Sequence, residues 1–311
     1  MGKKFASIIC VLFCICSSTW LCAQQTNASP EKLDTTKAKA EKADAEAQCN
    51  LGNCYRLGQG METNYFEAVK WYRKAAEQNY AEAQSKLGMC YLSGLGVSQS
   101  FDEAVKWFQA AAAQNCVSAE FNLGNCYFNG YRTKGINSDA EAVKWYRKAA
   151  EQNPRFAQSN LGFCYENGLG IKKNYAEALK WFQKAAEQNY AEAQRNLGCC
   201  YYDGHGVQRD YAEAVKWFQR AADNNNLQAQ CQLAECYAKG YGVPQNSEKA
   251  VKWYLKVANQ NFSPAQLDLS ECYRKGYLVE KNMVEYYKWK SIALYRVRDR
   301  DMKIVFDEIA S

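Results

Sequence analysis

With 311 residues, 39 basic against 33 acidic side chains and a formal charge of +6, the chain is too mildly charged to grip nucleic acid by its field alone. Lysines and glutamates alternate instead of gathering into a basic stripe, which argues further against a nucleic-acid partner. One histidine, and no Cys-x-x-Cys pair among fifteen cysteines, leaves the usual zinc-ligand spacings unfilled, so no metal or other cofactor is expected.

Residues 1–23 read as a secretory signal peptide. Lys3 and Lys4 precede an apolar run from Phe5 to Cys16, then Ser17, Ser18 and Thr19, and Leu21-Cys22-Ala23 places the cleavage after Ala23. Lipidation at Cys22 is disfavoured by Leu21, because such sites want a small residue just before the cysteine. The run is short for a membrane span of about 20 residues, and nothing later is continuously apolar, so the mature chain, with a charge of about +4, is expected to be secreted or periplasmic with no membrane span. Residues 24–44 form a polar linker rich in Ala, Lys, Asp and Glu. Ser29-Pro30-Glu31 suits a helix start, but no apolar stripe follows, and a disordered tether is the competing reading.

From Ala45 onward two ladders organise the chain. Trp71, Trp107, Trp145, Trp181, Trp217, Trp253 and Trp289 are spaced by 36 residues with one interval of 38, and Cys54, Cys90, Cys126, Cys164, Cys200, Cys236 and Cys272, each followed by Tyr, share that irregularity. A fixed period in this range marks a solenoid, in which each unit buries its apolar face by stacking on its neighbours. The units are 45–80, 81–116, 117–154, 155–190, 191–226, 227–262 and 263–298.

Each unit carries two helical patterns. In the fifth, Ala193, Leu197, Cys200 and Tyr201 line one face of the first helix, and Ala214, Val215, Trp217, Phe218, Ala221 and Ala222 form a wide stripe on the second. The glycine of the intervening turn recurs as Gly58, Gly94, Gly130, Gly168, Gly204, Gly240 and Gly276, a left-handed stop signal. Glycine inside the first helix, at Gly52, Gly88, Gly124, Gly162 and Gly198, costs about 1 kcal/mol in propensity. Together with Ala214 and Ala221 it marks the crossing of the helix pair.

The Leu-Gly-x-x-Tyr of the first helix and the Ala-x-x-x-aromatic of the second resemble a tetratricopeptide repeat. The Gly-x-Gly-Val turn and the Glu-Ala-Val-Lys-Trp-Tyr/Phe run resemble its relative, the Sel-one-like repeat, over about 254 residues. The resemblance implies an all-α, right-handed α-solenoid of seven two-helix repeats. Unit three departs by two extra residues near Thr133 to Ile136, units six and seven replace the helix glycine by Ala234 and Ser270, and unit seven has Tyr286 for alanine and Leu278 for the second turn glycine. Met302, Val305, Phe306 and Ile309 then fall at helical spacing, which suits a C-terminal capping helix over 299–311.

Of the eleven cysteines after the signal, the seven in the ladder sit about one helix diameter apart in neighbouring units, roughly 10 Å, too far for a disulfide. They read as small buried hydrophobes with inert thiols. Cys49, Cys116, Cys199 and Cys231 break the pattern, and the Cys-x7-Cys spacing of some cysteine-rich Sel-one-like proteins is absent. A nucleophile-and-base arrangement would need His205, which sits where other units carry Leu95, Leu169 or Tyr241 and reads as a surface substitution. Glu67, Glu103, Glu141, Glu177 and Glu213 stand three before lysines and read as solvated pairs.

Positions that vary between units are those that stacking does not dictate. By the resemblance, the second, fifth, ninth, twelfth and thirteenth residues of each first helix face a concave groove. Units three to five supply Phe121, Asn125, Phe128, Asn129, Phe156, Phe163, Asn167, Arg195 and Tyr202 there, and the ends supply charges such as Glu46, Arg56, Glu235, Lys239, Glu271, Arg274 and Lys275. Aromatic anchors in a polar surround fit a protein or peptide partner, although some of these phenylalanines also suit packing between units. The expectation is a monomeric, exported, non-catalytic scaffold. The resemblance also supplies an alternative, cell-wall ligand binding or slow β-lactam hydrolysis, to which some cysteine-rich Sel-one-like proteins have been linked.

Overall fold

The computed structural model describes residues 30–131 and 138–294. The chain divides into two compact units, Met1–Lys172 and Lys173–Ser311. In the first, α1 (Pro30–Glu41), α2 (Ala45–Leu57), α3 (Tyr65–Glu77), α4 (Ala81–Ser93), α5 (Phe101–Ala112), α6 (Val117–Phe128), α7 (Ser138–Glu151) and α8 (Arg155–Asn167) pack each on the next. The second holds α9 (Tyr175–Glu187), α10 (Ala191–Asp203), α11 (Tyr211–Asp223), α12 (Leu227–Lys239), α13 (Ser247–Ala258), α14 (Ser263–Lys275) and α15 (283–294), in the same α-solenoid arrangement of paired helices.

The repeated punctuation explains why helices start and stop where they do. Gly94 and Gly204 take left-handed φ of 66° and 78°, and each donates its backbone N–H to the carbonyl of the ladder cysteine, Cys90 and Cys200. The second helix then opens on a polar cap, Asn64, Ser100, Asn174, Asp210 or Asn246, whose side chain accepts from the backbone N–H three residues on at 2.8–3.3 Å. Each such cap is worth about 1 kcal/mol. Between repeats a further signal appears that the Trp and Cys ladders conceal. Asn79, Asn115, Asn153, Asn189, Asn225 and Asn261 all adopt left-handed φ of 56–74°, the conformation asparagine tolerates best among residues with a side chain.

Packing within a repeat turns on the glycine of the first helix. A Cβ added to Gly88 would lie 2.7 Å from the Phe108 ring, and one on Gly198 would lie 2.6 Å from Phe218. The space left by glycine therefore takes the aromatic that follows each tryptophan, with the Ala214 carbonyl also near Gly198. These rings and the leucines Leu51, Leu87, Leu123, Leu161, Leu197, Leu233 and Leu269 are the largest fully buried side chains. The second turn glycine has a different task. At Gly96 any Cβ would overlap the Tyr65 carbonyl, so this glycine brings the turn of one repeat onto the backbone of the helix before it. Leu278 holds the same left-handed geometry at φ 68°.

The seam between repeats is polar, which the ladders do not announce. The fourth residue of the first helix, Gln48, Gln84, Gln158, Gln194, Gln230 or Gln266, is buried and donates Nε2 to the carbonyl of an alanine eight residues upstream at 3.0–3.5 Å. A helix C-terminus leaves such carbonyls without intrahelical donors, and one buried carboxamide per seam supplies the missing N–H. Repeat three carries Glu120 here, fully buried. A carboxylate has no proton to give, and Lys148 Nζ takes over, reaching the Ala112 carbonyl at 3.2 Å and Glu120 at 2.9 Å, while Gln152 donates to Glu120 at 2.7 Å.

The described part of the polar linker, residues 30–44, contains more structure than a tether. Residues 30–41 are helical, with Leu33 and Ala40 buried against Ala47, Leu51 and Cys54. The stripe amounts to two residues in twelve, too few to register as periodicity, yet enough to act as the second helix of an incomplete repeat. The Gln48 donation to Ala40 is the same seam bond that joins complete repeats. The signal segment, the insertion near Thr133 to Ile136 and the capping helix at 299–311 lie outside the described residues.

Candidate functional site

The variable positions of the first helices come together as files. Within the first unit, Phe121 of α6 meets Phe156 of α8 at 6.1 Å between ring centroids, and Phe128 meets Phe163 edge-on at 6.4 Å. Phe121 and Phe128 also tilt against Tyr146 of α7 at 6.2 and 6.3 Å. Phe128, Phe156 and Phe163 are half-buried, whereas Phe121 is buried. Between the two files Asn125 is buried too, its Oδ1 accepting from Tyr146 Oη at 2.8 Å and from Asn160 Nδ2 at 3.4 Å. Phe121 and Asn125 thus form the floor, and Phe128, Phe156 and Phe163 form the accessible apolar surface.

Asn129 and Asn167 act locally. Each turns its Nδ2 back onto the carbonyl four residues earlier, Asn125 at 2.9 Å and Phe163 at 3.0 Å, finishing its helix with a side-chain donor. In the second unit Arg195 is half-buried and bound along its own helix, to Glu192 at 2.9 Å, to Asn196 and to Cys199 Sγ at 3.7 Å. Tyr202 packs against Tyr211 at 5.1 Å, Phe218 at 6.2 Å and Tyr241 at 6.0 Å, and burial, then the nearby Glu235, raise its hydroxyl pKa, so the ring is a neutral donor. Toward α12 and α14 the face becomes ionic, with Lys239 on Glu235 and Arg274 on Glu271.

Two contributors escape a comparison of variable positions. The sixth residue of the first helix is carboxamide in most repeats, and Asn160 and Gln232 use it to reach the ninth residue of the preceding repeat, Asn125 and Cys199, the latter at 3.0 Å. Its position one turn before the ninth residue was the available signal. Tyr211 and Tyr241, stacked at 4.8 Å beside Tyr202, come from a helix start and a turn rather than from the first helix.

The remaining reactive groups have structural surroundings. All seven ladder cysteines are buried, and burial pushes up the thiol of Cys54, those of Cys90 and Cys272 to about 11, and those of Cys126, Cys164 and Cys236 to about 12. Such thiols stay protonated at neutral pH and are poor nucleophiles. His205 is no free surface residue. It stacks on Tyr175 at 4.1 Å and 15°, as Tyr241 does on Tyr211 and Tyr131 on Phe101, so in these three repeats the turn position is a planar spacer against the preceding repeat. Among the described residues no group of three His, Cys, Asp or Glu side chains is arranged to hold a metal, and no helix is long and apolar enough to cross a membrane. The pairs Glu67–Lys70, Glu177–Lys180 and Glu213–Lys216 form on the exposed side of the second helices at 2.7–3.2 Å.

Comparison with known proteins agrees with this architecture. The crystal structure of c5321, a protective antigen of uropathogenic Escherichia coli with an SLR fold, superposes with a TM-score of 0.74 at 34% identity over 85% of this chain. The chain spans 56% of that protein's length. A Sel1 repeat protein from Oxalobacter formigenes superposes with a TM-score of 0.72 at 35% identity, over 79% of this chain and 96% of that one. No protein of curated function matches. The Sel1 repeat profile matches residues 45–80, 81–116, 117–154, 155–190, 191–226, 227–262 and 263–289, and the chain belongs to the Sel1 repeat family.

Proposed function

We propose that this Sel1 repeat protein is an exported, non-catalytic scaffold that holds a segment of another protein against its first-helix face. The observation that carries the reading is the pair of phenylalanine files, Phe121–Phe156 and Phe128–Phe163, whose outer rings stay half-exposed around a carboxamide floor. Large aromatic side chains that are rigid before binding lose little entropy when a partner covers them, and they dominate interface energetics in a desolvated centre. Export rests on the Lys3-Lys4 and apolar pattern before Ala23.

The test is a pull-down from the exported fraction with the native chain and with Phe128→Ala/Phe163→Ala. The double variant keeps its helical circular dichroism and loses the partner. A variant that is folded and retains every partner overturns the assignment of the face. N-terminal sequencing of the exported chain gives Gln24 as the first residue if the proposed cleavage holds. A β-lactam hydrolysis assay on the purified protein, expected to show no turnover, separates this reading from the enzymatic one.

A further inference from the structure

The aromatic patch of the first unit holds one hydrogen-bonding pair that the fold leaves unused. Asn125, 6% exposed, accepts through Oδ1 from Tyr146 Oη at 2.8 Å and from Asn160 Nδ2 at 3.4 Å. Among the described residues Asn125 Nδ2 then has no acceptor and Asn160 Oδ1 no donor, and both atoms stay in reach of solvent. Turning both carboxamides over exchanges their roles and still presents one donor beside one acceptor.

The pair sits between the two phenylalanine files. Phe121 and Phe128 are seven residues apart on α6, about 10 Å along its axis, with Asn125 between them. An extended chain points the N–H and C=O of one residue to the same side, the two groups through which paired strands exchange hydrogen bonds. Its side chains alternate across that line. A chain crossing α6 and α8 with one residue's N–H and C=O on Asn160 and Asn125 therefore lays neighbouring side chains on opposite phenylalanine files. A sugar would present hydroxyls to both files, and these offer only ring carbon.

Contacts between first helices in this unit follow one rule. The fifth residue meets the second of the next repeat, as Phe121 meets Phe156 and Ser85 meets Ser118 at 2.9 Å; the ninth meets the sixth, and the twelfth the ninth. Two repeats before the phenylalanines, the same rule brings up Lys86 in the file of the asparagines and Arg56 in the file of Phe128. Both cations oppose the burial-raised pKa of Cys90, so their charges converge there. Lys86 meets the exposed Glu82 at 3.1 Å, whereas Arg56 has no carboxylate partner among the described residues and lies beside the Tyr72 hydroxyl. The junction of the first two repeats is thus left with positive charge. At about 10 Å per repeat it lies about 20 Å from the phenylalanines, which an extended chain spans in about six residues.

We infer that this face takes an extended acidic segment of a partner protein and holds it by its backbone. One residue bonds Asn125 and Asn160, it and its neighbour are apolar and cover the two files, and Asp or Glu about six residues away meets Arg56 and Lys86. The inference rests on the reading of the first-helix face as a protein-binding surface and adds the chemistry of what binds.

The probe is a random peptide library displayed on phage and panned on the full-length chain. Selected peptides carry two adjacent apolar residues with Asp or Glu about six positions away. A selected peptide is then synthesised with each backbone nitrogen methylated in turn. Methylation at one of the two apolar residues weakens binding about tenfold, the size expected of one lost desolvated hydrogen bond. In the Asn160→Ala chain the same methylation changes nothing further. Arg56→Glu weakens the acidic peptide and favours a version with Lys in place of the acid. A scan without a sensitive nitrogen, or indifference to Arg56→Glu, overturns the inference. So does a library that yields no peptide, or a glycan array whose ligand needs Phe128 and Phe163. Peptides that bind Phe128→Ala/Phe163→Ala as well as the native chain overturn the reading of the face itself. Peptides lost from that variant but indifferent to methylation overturn this inference alone.

Discussion

Glu120 and Asp268 are carboxylates at first-helix positions where the repeat usually carries a carboxamide, and the two are treated differently. Glu120 replaces the seam glutamine of repeat three, is fully buried, and meets Lys148 and Gln152, both within its own repeat. Asp268 replaces the sixth-residue amide of repeat seven, the counterpart of Asn160 and Asn196, and the charges that act on it are Glu235 and a Lys239 already engaged with Glu235. Although Asp268 is exposed, partial desolvation, then repulsion from Glu235, raises its pKa. A repeat position thus fixes where a side chain points; whether it can carry charge depends on what its neighbours contribute.

The largest effect is expected from imposing the Glu120 chemistry where its support is missing. Repeat two has Ala110 where repeat three has Lys148, so Gln84→Glu buries a carboxylate beside the Ala76 carbonyl with no ammonium to separate them. Denaturant unfolding should show a loss of about 3–5 kcal/mol, and adding Ala110→Lys should return part of it. Lys148→Met attacks the same trio from the other side. It strands Glu120, but Gln152 still donates, so the expected loss is about 3 kcal/mol, at the lower end of what an uncompensated buried charge costs. Equal stability of native and Lys148→Met chains would show that the trio is not a coupled unit.

The smallest effect concerns Asp268 and is read against pH. Its folded pKa lies above the unfolded one, so the native state holds the proton more tightly, and stability falls as pH rises from the unfolded value through the folded one. Asp268→Asn should therefore stabilise the protein at neutral pH and lose that advantage as the pH falls through the raised folded pKa, where the native aspartate takes up its proton. A gain that is constant across the range would locate the benefit in packing rather than charge.

Much of the fold was legible because repetition turns one sequence into seven trials of the same geometry. The turn glycines and the burial of the ladder cysteines follow from residue chemistry at fixed spacing. The seam was equally repeated and still missed, since a buried glutamine reads as a surface residue until its carbonyl partner is known. Helix α1 was hidden for the opposite reason, having only Leu33 and Ala40 to declare a face. In the candidate site the sequence separates varying residues from constant ones, but not floor from surface. Phe121 and Phe163 look alike on paper, and only the packing of Tyr146 and Phe156 around the first distinguishes them.

The charged seam of repeat three also bears on how such a chain grows. Glu120, Lys148 and Gln152 all fall within residues 117–154, and what they require from outside is one backbone carbonyl, which every repeat ends by offering. A gene duplication copying that stretch would carry the acid and its counter-ion together, whereas a recombination joint between 120 and 148 would split them.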